Sequence, residues 1–513
     1  MDNLLALLAV SAISAAILAV SILGTAMRLH RDGRDAVLCL AAGMVVSALA
    51  GWICIFAFVI GPALGVVSQF AMLAGLGWLF WRERAGLTDS DTVRHLLAPV
   101  AGALLVGVVL LMVTFSTTDA SSYLSAAAQA YSHQLPNDNE LPYLFAEMLR
   151  IGDLRSPMIG DWLSSDRPPL QTGMVLLYGL PFFADGSVLY YQVVSTLLQT
   201  YALLGAYILI RALGGGQAAA WAGAALLAAS PVFLIHSVYV WPKLLPAGLL
   251  CVTAAVFFTA RLEASRDRVS VGLLAGLAAG LAMGAHGATA FALVGFVVAA
   301  LLLHRIPSFG YSVAGLATFA ATYLPWTLYQ QFVDPPGNRL LKWHVGGSIG
   351  VDDRGVIETL VESLRQVSAA DWLYGRLTNL ERIVADPVAR LIDPAKLAFA
   401  SDPAALATHL RATDFFQWSS GLGVAAPFIF ALPIAFVYRA TRSLAIATLA
   451  TLVIWAVLMF APGGAITHQG SLFPQIAAFS LIAYAAHRTD VRILMALAGL
   501  QLVSTGLIYF VFR

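Results

Sequence analysis

The stretch 36-AVLCLAAGMVVSALAGWICIFAFV-59 decides the fold class of this chain, because it is apolar throughout and carries no charged side chain. An α-helix needs roughly 20 apolar residues to span the hydrocarbon core of a bilayer. By this length rule the chain contains about fourteen candidate membrane helices. They lie near 3–28, 36–59, 62–82, 95–115, 187–211, 217–237, 244–261, 269–285, 287–304, 309–330, 420–438, 443–461, 471–487 and 491–511. The sequence therefore predicts an all-α, polytopic integral membrane protein with about 12–14 transmembrane helices.

The composition agrees with a membrane protein and argues against several soluble classes. Hydrophobic residues make up 59% of the chain and charged residues 11%, and the mean hydropathy is +0.81. A soluble domain usually carries about 25% charged residues. The net charge of +1 does not favour a nucleic-acid partner. The cysteines Cys39, Cys54 and Cys251 lie in apolar runs, which does not indicate a disulfide framework or a CxxC metal site.

Basic connectors between the apolar runs predict the orientation of the chain, because cytoplasmic loops of membrane proteins are enriched in Lys and Arg. Six connectors fit one alternation if all are cytoplasmic: 28-RLHRDGR-34, 82-RERAGLTDSDTVRH-95, 261-RLEASRDR-268, 304-HR-305, 438-YRATR-442 and 487-HRTDVR-492. The long polar segments 116–168 and 331–418 then lie on the outer face. We therefore expect a multi-pass protein of the bacterial inner membrane with its active site on the periplasmic side.

These boundaries predict five regions: N-terminal transmembrane helices 1–115, a first outer segment 116–168, a transmembrane core 169–330, a second outer segment 331–418 and C-terminal transmembrane helices 419–513. The apolar run 169–184 is too short to span and is expected to be re-entrant or interfacial. In the second outer segment, apolar residues recur at helical spacing in 355–382. This spacing predicts short helices lying on the membrane surface.

The first outer segment gathers the ionisable residues that could do chemistry. Pro168 and Pro169 disfavour helix before them, so Arg167 is expected in an extended stretch at the membrane surface. Taken alone, Asp138 could cap the helix that follows it, and Arg167 could be an interfacial anchor. Taken together, they fit a reaction on a lipid carrier. A phosphate needs a fixed cation, and an attacking hydroxyl needs a carboxylate to accept its proton.

The order of these motifs resembles the membrane glycosyltransferases of the GT-C superfamily, in the branch of protein O-mannosyltransferases and aminoarabinose transferases that uses polyprenyl-phosphate sugars. Members typically show an Asp-Glu pair opening a helix, then Gly-Asp, then Lys- or His-Pro-Pro-Leu. The corresponding residues here are 138-DNELPYLFAEMLRIGD-153 and 167-RPPL-170, followed by 230-SPVFLIHSVYVWPKLL-245 and 281-LAMGAHGATAFALV-294. The resemblance implies a GT-C-like helical bundle with short interfacial helices in its outer segments.

The same resemblance implies roles for several residues. Asp138 would be the catalytic base, with Glu140 and Asp166 as further catalytic or acceptor-side carboxylates. Arg167 takes the place of the Lys or His that helps to hold the donor phosphate.

The sequence also departs from the branch at several positions, among them Leu141, where some members carry an Arg. Asn139 splits the Asp-Glu pair, Lys243 stands where members carry an acid, and His286 replaces the Lys of Thr-Lys-Gly. The donor phosphate is therefore expected to be held differently, with Lys243 and His286 added to Arg167.

Further polar residues are candidates for contacts with the donor or the acceptor. They are Asp119, Arg339, Lys342, His344 and His468. The alternative for 334-DPPGNRLLKWH-344 is a basic interfacial belt anchored by Trp343. Asp119 could instead cap a helix, and His468 could be structural. The histidines lack the spacing of a zinc site. The predicted reaction requires no cofactor, and a divalent cation held by Asp119, Asp138 or Asp166 stays open.

The expected function is transfer of a hexosyl or pentosyl group from a polyprenyl-phosphate donor, with inversion, to a cell-envelope glycan, lipid or protein. Two alternatives remain: a transporter or flippase, and a ligase or polymerase of lipid-linked glycans. Transporters place ionisable groups near the bilayer midplane. Here such groups gather in the outer segments, which favours chemistry at the membrane surface.

Overall fold

The computed structural model describes residues 2–118, 122–131, 135–154, 157–179, 187–259, 268–348, 350–351, 353–461 and 472–512, and in these ranges its regular elements are all helices. The α-helices are α1 Asp2–Arg31, α2 Ala36–Ile60, α3 Pro62–Glu83, α4 Ser90–Thr92, α5 Ala98–Phe115, α6 Tyr123–Ala130, α7 Leu141–Ile151, α8 Leu170–Tyr178, α9 Ser187–Gln199, α10 Tyr201–Ala212, α11 Gln217–Ala228, α12 Pro231–Tyr239, α13 Leu244–Phe258, α14 Val269–Ala285, α15 Thr289–Leu302, α16 Phe309–Phe332, α17 Arg339–Gly346, α18 Val356–Arg365, α19 Ala369–Val384, α20 Asp393–Phe399, α21 Pro403–Phe416, α22 Leu432–Ala435, α23 Arg439–Leu458, α24 Phe473–Thr489 and α25 Val491–Gly506.

Seven helical stretches of the described residues are long and apolar enough to cross a membrane, or eight if a bent pair counts as one span. They are Asn3–Arg31, Ala36–Ile60, Pro62–Thr88, Ser90–Phe115, Val188–Ala212, Arg439–Leu458 and Val491–Val511. The prediction of an all-helical, multi-pass membrane protein is confirmed. The expected count of spans is higher than this number, because several predicted runs form shorter or bent helices. The division into five regions stays a prediction.

One predicted span, 217–237, is bent. α11 and α12 meet at an angle of 64°. The break falls before Pro231, and the Ser230 hydroxyl accepts a hydrogen bond from the backbone N–H of Phe233 (3.4 Å), which caps the new helix. The bend carries the end of α12 to the first outer segment, where it contributes to the candidate site.

The predicted span 420–438 is wrong as a single α-helix. Its residues form a 3₁₀ segment, Ser420–Ala431, followed by the single turn of α22. Gly423 lies at φ 59° and ψ −136°, a backbone conformation that interrupts the helix. Residues other than glycine rarely adopt it. The Gln501 side chain fills the space beside Gly423 and accepts a hydrogen bond from the Val424 N–H (2.8 Å).

The short apolar run after Pro169 forms α8, all of whose residues are buried. α8 packs so closely against α2 that a Cβ at Gly173 would meet the carbonyl oxygen of Gly51. Glycine at 173 is therefore what allows this close approach. Tyr178 and Ser47 share a hydrogen bond of 2.5 Å across the same interface. Residues 170–178 are therefore covered by protein, and the re-entrant or interfacial placement of this run stays a prediction. α8 is an interior helix that holds the stretch just before it in place.

Several basic connectors meet at one end of the bundle. Arg31 forms an ion pair of 2.9 Å with the buried Glu83, and His30 lies 3.3 Å from Asp91. At the same end the Gly216 N–H donates to His487 (3.3 Å). Because the stretch Ser90–Phe115 crosses the bundle once, the first outer segment that follows it lies at the opposite end. Which end faces the periplasm stays a prediction.

The second outer segment contains the short helices that the sequence predicted. α18 and α19 both turn apolar side chains outward, and Ile357, for example, is 79% exposed. This is the arrangement of helices that rest on a lipid surface. A buried ionic group, which we call the Arg390 cluster, connects the segment to the end of the chain. It consists of Arg390, Asp393, Lys396, Asp414 and Tyr509.

Candidate active site

The structure brings Asp138 and Arg167 together in an ion pair between Oδ2 and Nη2. Asp138 lies in the 3₁₀ turn Asn137–Glu140 before α7, and Arg167 lies in the extended stretch before α8, at φ −129° and ψ 134°. Neither simpler interpretation holds. The Asp138 side chain makes no capping bond, and Arg167 is only 9% exposed and so is not a snorkelling anchor. The Asp138 side chain remains 17% exposed, which leaves it reachable.

The end of α12 supplies a second partner for Asp138. The Tyr239 hydroxyl donates to Asp138 Oδ1 at 2.7 Å and shares its proton with the Pro136 carbonyl oxygen. Val240, the next residue, has a positive φ of 54°, an unfavourable conformation for a β-branched residue. Its carbonyl oxygen accepts from Gln171 Nε2 at 2.8 Å, so α8 holds this strained turn. The turn places Trp241 and Lys243 beside Arg167.

Two tryptophans surround the Arg167 guanidinium. Its central carbon lies 5.0 Å from the Trp162 ring centre and 5.4 Å from that of Trp241. Lys243 Nζ also lies 4.8 Å from the Trp241 ring. These distances are those of cation–π contacts. Arg167 Nε is buried and has no hydrogen-bond partner among the described residues. The guanidinium therefore keeps an unused donor inside the site.

Lys243 and His286 form the innermost part of the site. Lys243 is 2% exposed, and its Nζ lies 2.8 Å from His286 Nε2. His286 Nδ1 accepts a hydrogen bond from the Ala288 N–H at 3.1 Å. Burial in this turn, outside the candidate spans, lowers the pKa of Lys243 well below its usual value, and the nearby Arg167 lowers it further.

Arg339 flanks the site on the side of the second outer segment. Its guanidinium lies 4.2 Å from the ring centre of Trp162, the same ring that Arg167 contacts. Its Nη1 lies 2.9 Å from Asp161 Oδ1. Asp166 Oδ2 lies 3.8 Å from the same nitrogen and accepts from the Leu163 N–H at 2.8 Å. Burial raises the pKa of Asp166 to about 6, although that backbone bond and Arg339 oppose the shift. The hydrogen bond from Arg339 holds the pKa of Asp161 below its usual value.

The loop that carries Asp166 and Arg167 is fixed to the second outer segment by Asp334. The Asp334 carboxylate accepts from the Ser164 hydroxyl (2.5 Å) and from the Ser165 N–H (3.2 Å). Gln330, on α16, donates to the Ser165 carbonyl oxygen at 2.9 Å. These bonds join the two outer segments at the site and set the position of Arg167.

The basic residues of α17 face inward. Lys342 is 3% exposed, and His344 is fully buried with its ring centre 6.3 Å from that of His286 and 5.7 Å from that of Phe291. The alternative prediction, that this stretch forms an interfacial belt of exposed basic residues, is therefore wrong. His344 extends the Lys243–His286 pair, whereas Arg339 belongs to the Trp162 side of the site.

The remaining candidates are not part of this ion-pair network. Glu140 is half-buried, burial raises its pKa, and it forms no ion pair among the described residues. Asp119 and His468 lie outside the described residues. Within the described ranges no three His, Cys, Asp or Glu side chains are grouped as metal ligands would be. A role for Glu140, and the question of a divalent cation, stay predictions.

Sequence reasoning missed three aromatic residues of the site, Trp162, Tyr239 and Trp241. All three stand in the same short polar stretches as the charged candidates, 161-DWLSSDRPPL-170 and 239-YVWPK-243. The signal available in the sequence was an aromatic residue two to five positions before the Arg or Lys of a short polar stretch. It is a weak signal, because tryptophan and tyrosine are common at membrane surfaces in any role.

No protein-family profile matches the chain, and no curated protein matches it in sequence. Among solved structures, the chain is similar to the crystal structure of ArnT from Cupriavidus metallidurans bound to undecaprenyl phosphate. The TM-score is 0.46 and the sequence identity 13%, over 79% of this chain and 75% of that one.

Proposed function

We propose that this protein is a membrane glycosyltransferase that takes a sugar from a polyprenyl-phosphate donor and transfers it to an acceptor hydroxyl at the end of the bundle formed by the outer segments. The observation that carries the proposal is the Asp138–Arg167 ion pair, which the Tyr239 hydroxyl supports from α12. A proton acceptor and an anion-binding group are thereby held side by side, mostly buried, at one membrane surface.

The arrangement suits an in-line displacement at the anomeric carbon. The acceptor hydroxyl gives its proton to the Asp138 carboxylate, and its oxygen forms the new bond to the sugar. The bond between the anomeric carbon and the phosphate oxygen breaks, and the polyprenyl phosphate leaves with the electron pair. Inversion at the anomeric carbon follows. Arg167 stabilises the charge that grows on the leaving phosphate, and such stabilisation is large in a site that excludes water.

The ion pair also gives the donor a way to activate the base. Without substrate, Arg167 neutralises Asp138. An incoming phosphate competes for the same guanidinium, whose Nε has no other partner among the described residues. As the guanidinium turns to the phosphate, Asp138 keeps only the hydrogen bond from Tyr239 and becomes the stronger proton acceptor. The base is then active only when a donor is bound, which limits idle proton transfer.

Transfer of a labelled sugar tests the proposal. The purified protein in liposomes is given undecaprenyl-phosphate sugars with radiolabelled hexose, pentose or aminopentose, together with a membrane extract as the source of acceptor. Asp138→Asn should lower the rate by about 10²–10⁴-fold, the usual contribution of a general base. Asp402→Asn is the matched control, because Asp402 caps α21 through the Ala405 N–H (2.9 Å) and asparagine caps equally well.

The outcomes separate the candidate functions. Wild-type turnover in Asp138→Asn would contradict the assignment of the base. Transfer of a whole oligosaccharide, rather than one sugar, would identify a ligase or polymerase. Movement of labelled lipid between leaflets with no transfer to any acceptor would identify a flippase.

A further inference from the structure

The buried pair of Lys243 and His286 has a hydrogen-bonding pattern that fixes its protonation. Lys243 is 2% exposed, and His286 Nε2, at 2.8 Å, is the polar atom that the described residues offer to its Nζ. On the other side of the ring, the Ala288 N–H donates to Nδ1 at 3.1 Å. A nitrogen that accepts a hydrogen bond carries no proton, so the proton of a neutral imidazole must sit on Nε2.

The consequence falls on the lysine. An ammonium group has three donors and no acceptor. If Nε2 carries the proton and points at Nζ, the hydrogen bond requires a lone pair on Nζ, which only the neutral amine has. The observed geometry is therefore that of a neutral lysine accepting from a neutral histidine.

The charged and titratable groups around Lys243 favour the same state. Arg167 shares the Trp241 ring with it, so a second cation there would be repelled. Asp138 is the nearby anion, but it is already neutralised by Arg167. His236 and Tyr239 face it from α12, and His344 stands behind His286. The burial of Nζ away from water disfavours the ammonium form.

We infer that Lys243 is a neutral amine in the resting protein and takes up one proton from solvent when the donor's phosphodiester binds. The phosphate brings a negative charge next to Nζ and favours the ammonium form, which gives up the bond from His286 and donates to a phosphate oxygen instead. His286 is the positioning residue that holds the amine ready. The inference rests on the proposed function, and it adds that donor binding is coupled to a proton.

Calorimetric binding in buffers of different ionisation enthalpy measures this proton directly. The probe is farnesyl methyl phosphate, a phosphodiester with no proton of its own to exchange near neutral pH, added to the full-length protein in detergent. At about pH 7, where free histidine is mostly neutral, we expect uptake of about one proton per bound probe. The dissociation constant should then rise towards tenfold per pH unit above that pH.

Lys243→Met keeps the length of the side chain and removes the amine. It should bind the probe more weakly, take up close to no protons, and lose the dependence of affinity on pH. Binding to the wild type without proton uptake would overturn this inference and leave the proposed function standing. So would an uptake unchanged in Lys243→Met. No binding of the probe by the wild type would contradict the proposed donor itself. The wild-type measurement decides even if the variant does not fold.

Discussion

Two largely buried ionic groups of the described residues lie at the same end of the bundle, and they are built differently. In the Arg390 cluster, Arg390 contacts Asp393 and Asp414 at 3.1 Å each, Lys396 lies 3.3 Å from Asp393, and the Tyr509 hydroxyl donates to Asp414 at 2.9 Å. Two carboxylates thus face two cations.

In the site, the Arg167 guanidinium and the Lys243 amine stand beside the single carboxylate of Asp138, and one nitrogen of Arg167 has no partner among the described residues. Each charged group of the Arg390 cluster has a partner of opposite charge. In the site, by contrast, two nitrogen groups share one carboxylate, which suits the binding of an anion.

Among the substitutions, Arg390→Met should have the largest effect, and that effect should be on the stability of the fold. It leaves the buried carboxylates of Asp393 and Asp414 without their main partner, and breaking such a pair costs about 3–5 kcal/mol. We expect a clear loss of folded protein and a lower apparent melting temperature in detergent, followed by tryptophan fluorescence. An unchanged melting temperature would contradict a structural role for the Arg390 cluster.

Arg167→Met should act chiefly on catalysis. Loss of one group that stabilises transition-state charge costs about 10²–10³-fold in rate. The melting temperature should change less than in Arg390→Met, because Asp138 keeps its bond from Tyr239 and some contact with solvent. Transfer assays and melting curves on the same preparations make the test. If stability falls as far as in Arg390→Met, Arg167 belongs with the structural group.

Tyr239→Phe should have an intermediate effect on the site. It removes the hydroxyl that donates to Asp138 Oδ1 and leaves the packing of the ring against Trp241, whose centre is 5.0 Å away. Hydrogen bonds to charged groups are worth about 1.5–3 kcal/mol, so kcat/KM should fall by about 10- to 150-fold. Tyr131→Phe, which removes a hydroxyl hydrogen-bonded to the Thr114 hydroxyl (2.7 Å) and not to a residue of the site, is the control that should keep activity. Equal effects of the two changes would contradict a special role for Tyr239.

Asp166→Asn should give the smallest effect, visible as a pH dependence of stability. The pKa of Asp166 is raised to about 6, so below that pH the folded protein binds a proton more tightly than the unfolded chain does. The free energy of unfolding therefore contains a term that grows as pH falls from about 6 to about 4 and is absent above, on the order of 1 kcal/mol. The melting temperature of the wild type relative to Asp166→Asn should rise between pH 7 and pH 5. A constant difference would mean that Asp166 is ionised throughout.

The sequence was sufficient for the membrane class and for the pairing of Asp138 with Arg167, because length, charge depletion and a proline-fixed backbone act locally. The same reasoning failed at 217–237 and 420–438. There the hydropathy is that of a span, but Ser230-Pro231 and Gly423 interrupt the backbone. An average over about 20 residues hides such interruptions.

The contacts of the site beyond that pair depend on distant parts of the chain. Asp334 reaches Ser164, and His286 reaches Lys243, across long separations in sequence. No local pattern reports such contacts. For the same reason the sequence left two alternatives for Lys342 and His344, since basic residues near Trp343 look the same whether they line a site or a lipid surface, and the structure turns both inward.

The indole of Trp162 contacts two guanidiniums that come from different outer segments, Arg167 at 5.0 Å and Arg339 at 4.2 Å. Neither arginine can move without changing the surroundings of the other. The energetic effects of substitutions at the two arginines will consequently not be additive, and the size of that non-additivity in a double-mutant cycle measures how strongly the two arginines are coupled.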